Sequence, residues 1–144
     1  MDENINYRQI ALLNRAYMGE VWRKMNENAD LTGEEELLAA QLAGHPEYGE
    51  IWENKEMGDH FFDPTKQEEN PFLHISLHVM LERQIQSNNP PCVSKTIERL
   101  TALGEDPHDV QHAILRILVQ EIWEVMIRRR SFDVKRYCEQ IEAL

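Results

Sequence analysis

The residues in this chain best equipped for chemistry are four histidines in two pairs of identical spacing, His74 with His78 and His108 with His112. Each pair falls in a stretch with helical periodicity. Side chains four apart stand one above the other on a helix, so each pair presents two imidazoles side by side. Neutral imidazole coordinates a divalent transition ion without the cost of burying a net charge, and carboxylates join such sets. Two helices packed face to face would bring His74, His78, His108 and His112 together. Glu82, one turn beyond His78, would be a fifth ligand or a base. The ion such a set takes is Zn, Fe, Mn or Ni. A catalytic site keeps about three protein ligands and an open position for water, and water bound there becomes a nucleophile near neutral pH. That makes a hydrolase-like protein one expectation. His45 and His60 can add a further ligand or an outer contact.

The helices that must carry these residues are legible from periodicity and punctuation. Residues 6–28 repeat apolar positions at three- and four-residue steps through Ile10, Leu13, Tyr17, Val21 and Met25. Thr32 with Glu35 makes a capping box for a second helix, Glu34, Glu35 and Glu36 suit its positive end, and Gly44 stops it. His45-Pro46 starts a short helix through Trp52, and residues 54–69 read as a long charged loop of the kind that forms lids. Asn70-Pro71 and Asp106-Pro107 each place a capping side chain before a proline at the first helical position. The helix from Asn70 should run to about Gln86 with Leu73, Leu77, Leu81 and Ile85 as its apolar stripe. On that wheel His74 falls inside the stripe, and His78 at its edge. Asn88-Asn89-Pro90-Pro91 breaks the chain, and a helix follows from Cys92 to Leu103, ending at Gly104. The helix from Asp106 should reach about Arg129 on a core face of Ile114, Leu115, Leu118, Val119, Ile122 and Met126, with a short terminal helix after Phe132-Asp133. Few stretches alternate apolar with polar residues, so the expectation is an all-α helical bundle of five to seven helices with no sheet, residues 1–144 forming a single helical domain.

Plainer readings stand beside the metal site. His74 fits a core histidine bonded to a backbone carbonyl, His108 an exposed residue at the second position of its helix, and His78 with Glu82 a surface i,i+4 pair. Ile75 occupies the place where a zincin needs Glu, so the HExxH motif is absent. His108-Asp109 superficially resembles a metal-phosphohydrolase dyad, but Asp109 has a simpler task at a helix N-terminus. The chain has no GxSxG elbow, P-loop or dinucleotide glycine turn. Cys92 and Cys138 are isolated and read as reduced thiols, although a lone disulfide is open to them. Arg128, Arg129 and Arg130 complement a helix C-terminus.

Net charge is −11, and all of it lies in residues 27–69, which hold thirteen acids against two bases. Such a surface repels nucleic acid and anionic lipid and can attract a basic partner. No run approaches the ~20 apolar residues of a membrane span, and the acidic, polar N-terminus does not read as a secretory leader. A cytoplasmic protein is expected. The alternative to a metal protein is a non-catalytic acidic adaptor that binds a basic or apolar protein partner through segment 27–69. In it Phe61 and Phe62 serve as core anchors or as an exposed hot spot. A homodimer through a helix face fits either reading.

The run Asn70-Pro71-Phe72-Leu73-His74-Ile75-Ser76-Leu77-His78, followed by Glu82, Gln84 and Pro90-Pro91, resembles the central motif of a bacterial family of small helical proteins of unknown function. His45-Pro46-Glu47-Tyr48 and His108-x-x-x-His112 are similar to that family's pattern as well. The resemblance covers roughly residues 35–125, and the first helix carries no matching motif. It implies a bacterial, cytosolic, all-helical protein and supplies no activity.

Overall fold

The computed structural model describes residues 7–66 and 68–144, with side chains from residue 14 onward other than those at 55, 59 and 64. Among the described residues there are seven α-helices and no strand: α1 (Tyr7–Asn26), α2 (Gly33–Ala43), α3 (Gly49–Glu53), α4 (Pro71–Ser87), α5 (Pro91–Ala102), α6 (Pro107–Arg128) and α7 (Val134–Glu142). The architecture is an all-α helical bundle. The chain divides into two compact units, Met1–Ser76 and Leu77–Leu144. The boundary falls inside α4, which runs through it as one unbroken helix.

In the first unit, α1 buries Met18 and Val21, whereas Tyr17 is largely exposed. The start expected near Asn6 and the side chains of Ile10 and Leu13 lie outside the described residues. Thr32 and Glu35 form the capping box that their spacing predicts. The Glu35 N–H donates to Thr32 Oγ1 at 3.3 Å, and the Thr32 N–H donates to Glu35 Oε1 at 3.1 Å. Lys24 Nζ reaches Glu35 Oε2 at 2.7 Å, and the Lys24 ammonium holds the Glu35 carboxyl below its usual range. Glu35 is therefore a buried structural residue that ties α2 to α1, and not part of the solvated acidic face its neighbours suggest.

Within the stretch read as a long charged loop lie 3₁₀ turns at Lys55–Asp59 and Pro64–Lys66. Arg15 of α1 pins it: Nη1 donates to the carbonyl oxygens of His60 at 2.7 Å and Gly58 at 3.3 Å. Its guanidinium stacks over the rings of Phe72 and Phe62, with centroids at 4.7 and 5.5 Å. The two phenylalanines thus part company. Phe62 is an anchor, and Phe61 is 73% exposed.

In the second unit, Leu81, Val93, Ile114, Leu118, Tyr137 and Ile141 form the middle of the core. Asp106 Oδ1 accepts from the His108 and Asp109 N–H groups at 2.9 and 3.1 Å, so α6 starts where the sequence places it. The Tyr137 hydroxyl donates to Gln84 Oε1 at 2.7 Å, and burial pushes its pKa up to about 12. Two expectations need correcting. Cys92 and Cys138 are not free thiols; they form a disulfide joining α5 to α7, with Cα atoms 5.7 Å apart. Their separation of 46 positions along the chain concealed a proximity that only the packing of α5 against α7 creates. Nor do the three arginines simply decorate a helix end. Arg129 takes the left-handed conformation (φ 50°), which turns the chain and returns Arg130 to α6.

There Arg130 meets Glu121, which is 2% exposed. Nη1 and Nη2 approach the two carboxylate oxygens at 2.6 and 3.1 Å, and the Asp133 N–H donates to Oε1 at 2.9 Å. The pair fixes the α6–α7 turn, and the Arg130 guanidinium holds the Glu121 carboxyl below its usual range. The folded value lies below the unfolded one. The stabilisation is therefore present above the ordinary carboxylate range and lost as pH falls through the lowered folded value. Glu121→Gln is expected to lower the melting temperature at pH 7 by roughly 5 °C. The difference from wild type should shrink in acid, as measured by thermal denaturation across pH.

Candidate metal centre

The cap at Asn70 sets the phase of α4. Asn70 Oδ1 accepts from the Leu73 N–H at 3.2 Å, and Pro71 takes the first helical position. From that start the buried side chains are Phe72, Ile75, Leu77, His78 and Leu81, with His74 half-buried. At ~100° per residue this is a wide arc, and His78 lies near its middle. The stripe read from leucine spacing alone was centred wrongly, because Phe72 and Ile75 pull the buried side round the helix. Leu73, expected in the core, is 40% exposed, and His78, expected at the edge, is only 4% exposed. On α6 the face is set by Val110, Ile114, Leu115, Leu118 and Glu121, and Met126 lies outside it.

Within the second unit α4 and α6 bring three imidazoles together. His78 stands 5.3 Å from His112 and 6.2 Å from His108 between ring centres, and His108 and His112 are 4.1 Å apart. Imidazoles on one tetrahedral ion, with metal–nitrogen bonds near 2.0 Å, have ring centres about 5 Å apart. The observed distances fall on either side of that value, and the ligand nitrogens of these three do not all lie within 4.8 Å of one another. Burial grades from His78, buried, through His112, half-buried, to His108, exposed. Glu82 is half-buried, one turn beyond His78, and accepts a long 3.5 Å hydrogen bond from Gln86 Nε2.

In the first unit His74 faces a different histidine. Its ring lies 5.0 Å from that of His45, and Tyr48 stacks nearly parallel to His45 at 5.8 Å. His45 is 6% exposed, at the end of α2, and its Nδ1 lies 2.8 Å from the Gln41 carbonyl oxygen. Tyr48 donates its hydroxyl to Glu69, and burial and that carboxylate raise the phenol above its ordinary value. Because α4 is continuous, His78 follows His74 by one turn. One ligand nitrogen from each of His45 and His74 lies within 4.8 Å of the other. His60 is elsewhere: its ring packs edge-on to Phe62 at 4.6 Å, and its Nε2 lies 4.0 Å from Glu68. The expected four-histidine set is thus distributed, with His74 beside His45 and His78 beside His108 and His112. The sequence offered His45 only alongside His60, as a further ligand or an outer contact, with no i,i+4 partner to mark it.

The chain matches the family described as domain of unknown function (DUF1841) over residues 12–143, and it belongs to that family. The match extends beyond the 35–125 stretch in which the motif resemblance is visible and takes in most of α1. No curated protein and no solved structure matches the chain.

The aromatic residues behind His74 depend on Arg15, whose fork serves two carbonyls while its plane covers two rings. Lys has neither the fork nor the plane. Arg15→Lys is expected to loosen residues 58–62 and raise the rate of limited proteolysis there several-fold. An unchanged cleavage rate would show that Phe62 and Phe72 hold the segment without it.

Proposed function

We propose that this protein binds a divalent transition-metal ion, Zn, Fe, Mn or Ni, through its helical histidines, with His78 as the central ligand. His112 and His74 rank next, and His108 and Glu82 complete the candidate set. The observation that carries this reading is the convergence of His78, His108 and His112 from two helices at ring distances of 4.1–6.2 Å. Bundles commonly build metal sites in this way, from inward-facing side chains on neighbouring helices. A buried imidazole such as His78 suits coordination, because the neutral ring carries a lone pair without a buried charge. A set that leaves one position to water supports hydrolytic chemistry, with the half-buried Glu82 as the nearest carboxylate on the helix to take a proton. Protein purified without a histidine tag should carry about one transition-metal ion per chain by elemental analysis. His78→Ala should reduce this at least tenfold, and acid should release the metal as the imidazoles protonate. Equal metal in both proteins, or only traces in the wild type, would overturn the reading.

A second reading is favoured by Phe61, which stands exposed in a segment with a strong excess of acid. An exposed ring among carboxylates suits a basic, partly apolar peptide. In this reading the chain is an adaptor. Phe61→Ser combined with Glu36→Gln should abolish salt-sensitive binding of a Lys/Leu-rich peptide in fluorescence anisotropy. Glu35 must be left intact, since its loss would unpin α2. Absence of any such binding by the wild type would dispose of the adaptor.

A further inference from the structure

We infer that the first unit carries a ligand pocket, between α1 and α3, that takes a small organic cation with an apolar body. The site uses no histidine and does not depend on the metal-binding reading. The cavity has a volume of about 690 Å³, within the ~300–1,000 Å³ typical of small-molecule sites. All of its lining residues lie between Arg15 and Phe72, so the first unit forms it alone.

The apolar part of the wall is Trp22, Ile51, Trp52 and Phe72. Trp52 packs edge-on to Phe72 at 5.1 Å and to Tyr48 at 6.0 Å, which fixes this wall in place. Trp52 is 7% exposed, and its indole N–H donates to no group among the described residues. A buried donor left in that condition is costly, and stability alone gives no reason to place it in a cavity wall.

Charge decides the class of ligand. Of the charged side chains in the wall, two arginines and two glutamates are already committed. Arg23 bonds Glu20 through Nε at 3.1 Å and Glu27 through Nη1 at 2.5 Å. Arg15 serves the carbonyl oxygens of Gly58 and His60 and covers the rings of Phe62 and Phe72. Glu53 is different. It accepts a long 3.4 Å hydrogen bond from Trp22 Nε1, and among the described residues no cation meets it. An anionic ligand would therefore find both guanidiniums occupied. A cation would find the Glu53 carboxylate, with the Trp22 indole beside it to supply a cation–π contact. The acid excess of residues 27–69 adds to this, since it draws in cations and repels phosphates and carboxylates.

The test compares three probes that share one apolar body, phenylbutylamine, phenylbutanol and phenylbutyrate, on the full chain. Trp123 is not part of the pocket wall, so a Trp123→Phe background leaves tryptophan fluorescence to Trp22 and Trp52. The amine should change this fluorescence with an affinity about tenfold above that of the butyrate, the alcohol falling between them. Added salt should weaken the amine. Glu53→Gln keeps an acceptor for Trp22 but removes the charge. It should lower the amine's affinity to that of the alcohol and leave the alcohol unchanged. Gly19 also lines the cavity, and a Cβ there meets only the Trp52 carbonyl oxygen, at 4.0 Å. Gly19→Leu should therefore keep the wild-type melting temperature and abolish binding of all three probes. His78→Ala should bind the amine as the wild type does, whatever the outcome for the metal. Failure of all three probes to bind, equal affinity for the amine and the butyrate, or amine binding that survives both Glu53→Gln and Gly19→Leu would overturn the inference.

Discussion

The phase of α4 governs everything that the histidines can do. Proline lacks an N–H and clashes with the preceding turn, so Pro71 belongs at the start of a helix, and Asn70 caps that start through the Leu73 N–H. With the first residue fixed, every later side chain has a set direction. His74 is turned toward the His45 and Tyr48 rings and His78 into the middle of the buried arc, while Leu73 and Met80 are left exposed. A one-residue slip would rotate the helix by ~100° and remove both imidazoles from their neighbours.

Charge does the same mechanical work in each of the two units. Lys24 and Glu35 join α1 to α2 at a helix N-terminus, and Arg130 and Glu121 close the turn from α6 to α7. In both, a buried carboxylate also accepts from backbone N–H groups beside it, which offsets the cost of removing it from water. Arg15 belongs with these, although its partners are carbonyls and ring faces. The large acidic excess of residues 27–69 therefore contains at least one carboxylate, Glu35, whose role is structural and whose charge is already neutralised.

The two imidazole groups differ in character. His45 and His74 sit among aromatic rings that hold them in place, with a backbone carbonyl setting the tautomer of His45. His78, His108 and His112 lie on two helices and grade from buried to exposed, an arrangement that suits an ion approached from one side. The disulfide between Cys92 and Cys138 braces the second group indirectly, since it holds α7 and α5 around the same core that positions α6.

Much of this was legible in the residues alone. The caps at Thr32, Asn70 and Asp106, the stops at Gly44 and Gly104, and the all-α class follow from local chemistry, because capping side chains and prolines act within one turn of themselves. Spacing also showed that His74 with His78, and His108 with His112, share helix faces. Which faces those are was decided only by packing. Phe72 and Ile75 outweighed the leucine spacing on α4, and Glu121, polar by type, became core because Arg130 returns to it through a left-handed residue. The nearness of His45 to His74, the bond between Cys92 and Cys138, and the separate fates of Phe61 and Phe62 join residues far apart in the chain or set neighbours against each other. A sequence records spacing along one helix at a time. The distance between helices appears only once apolar burial has chosen which surfaces meet.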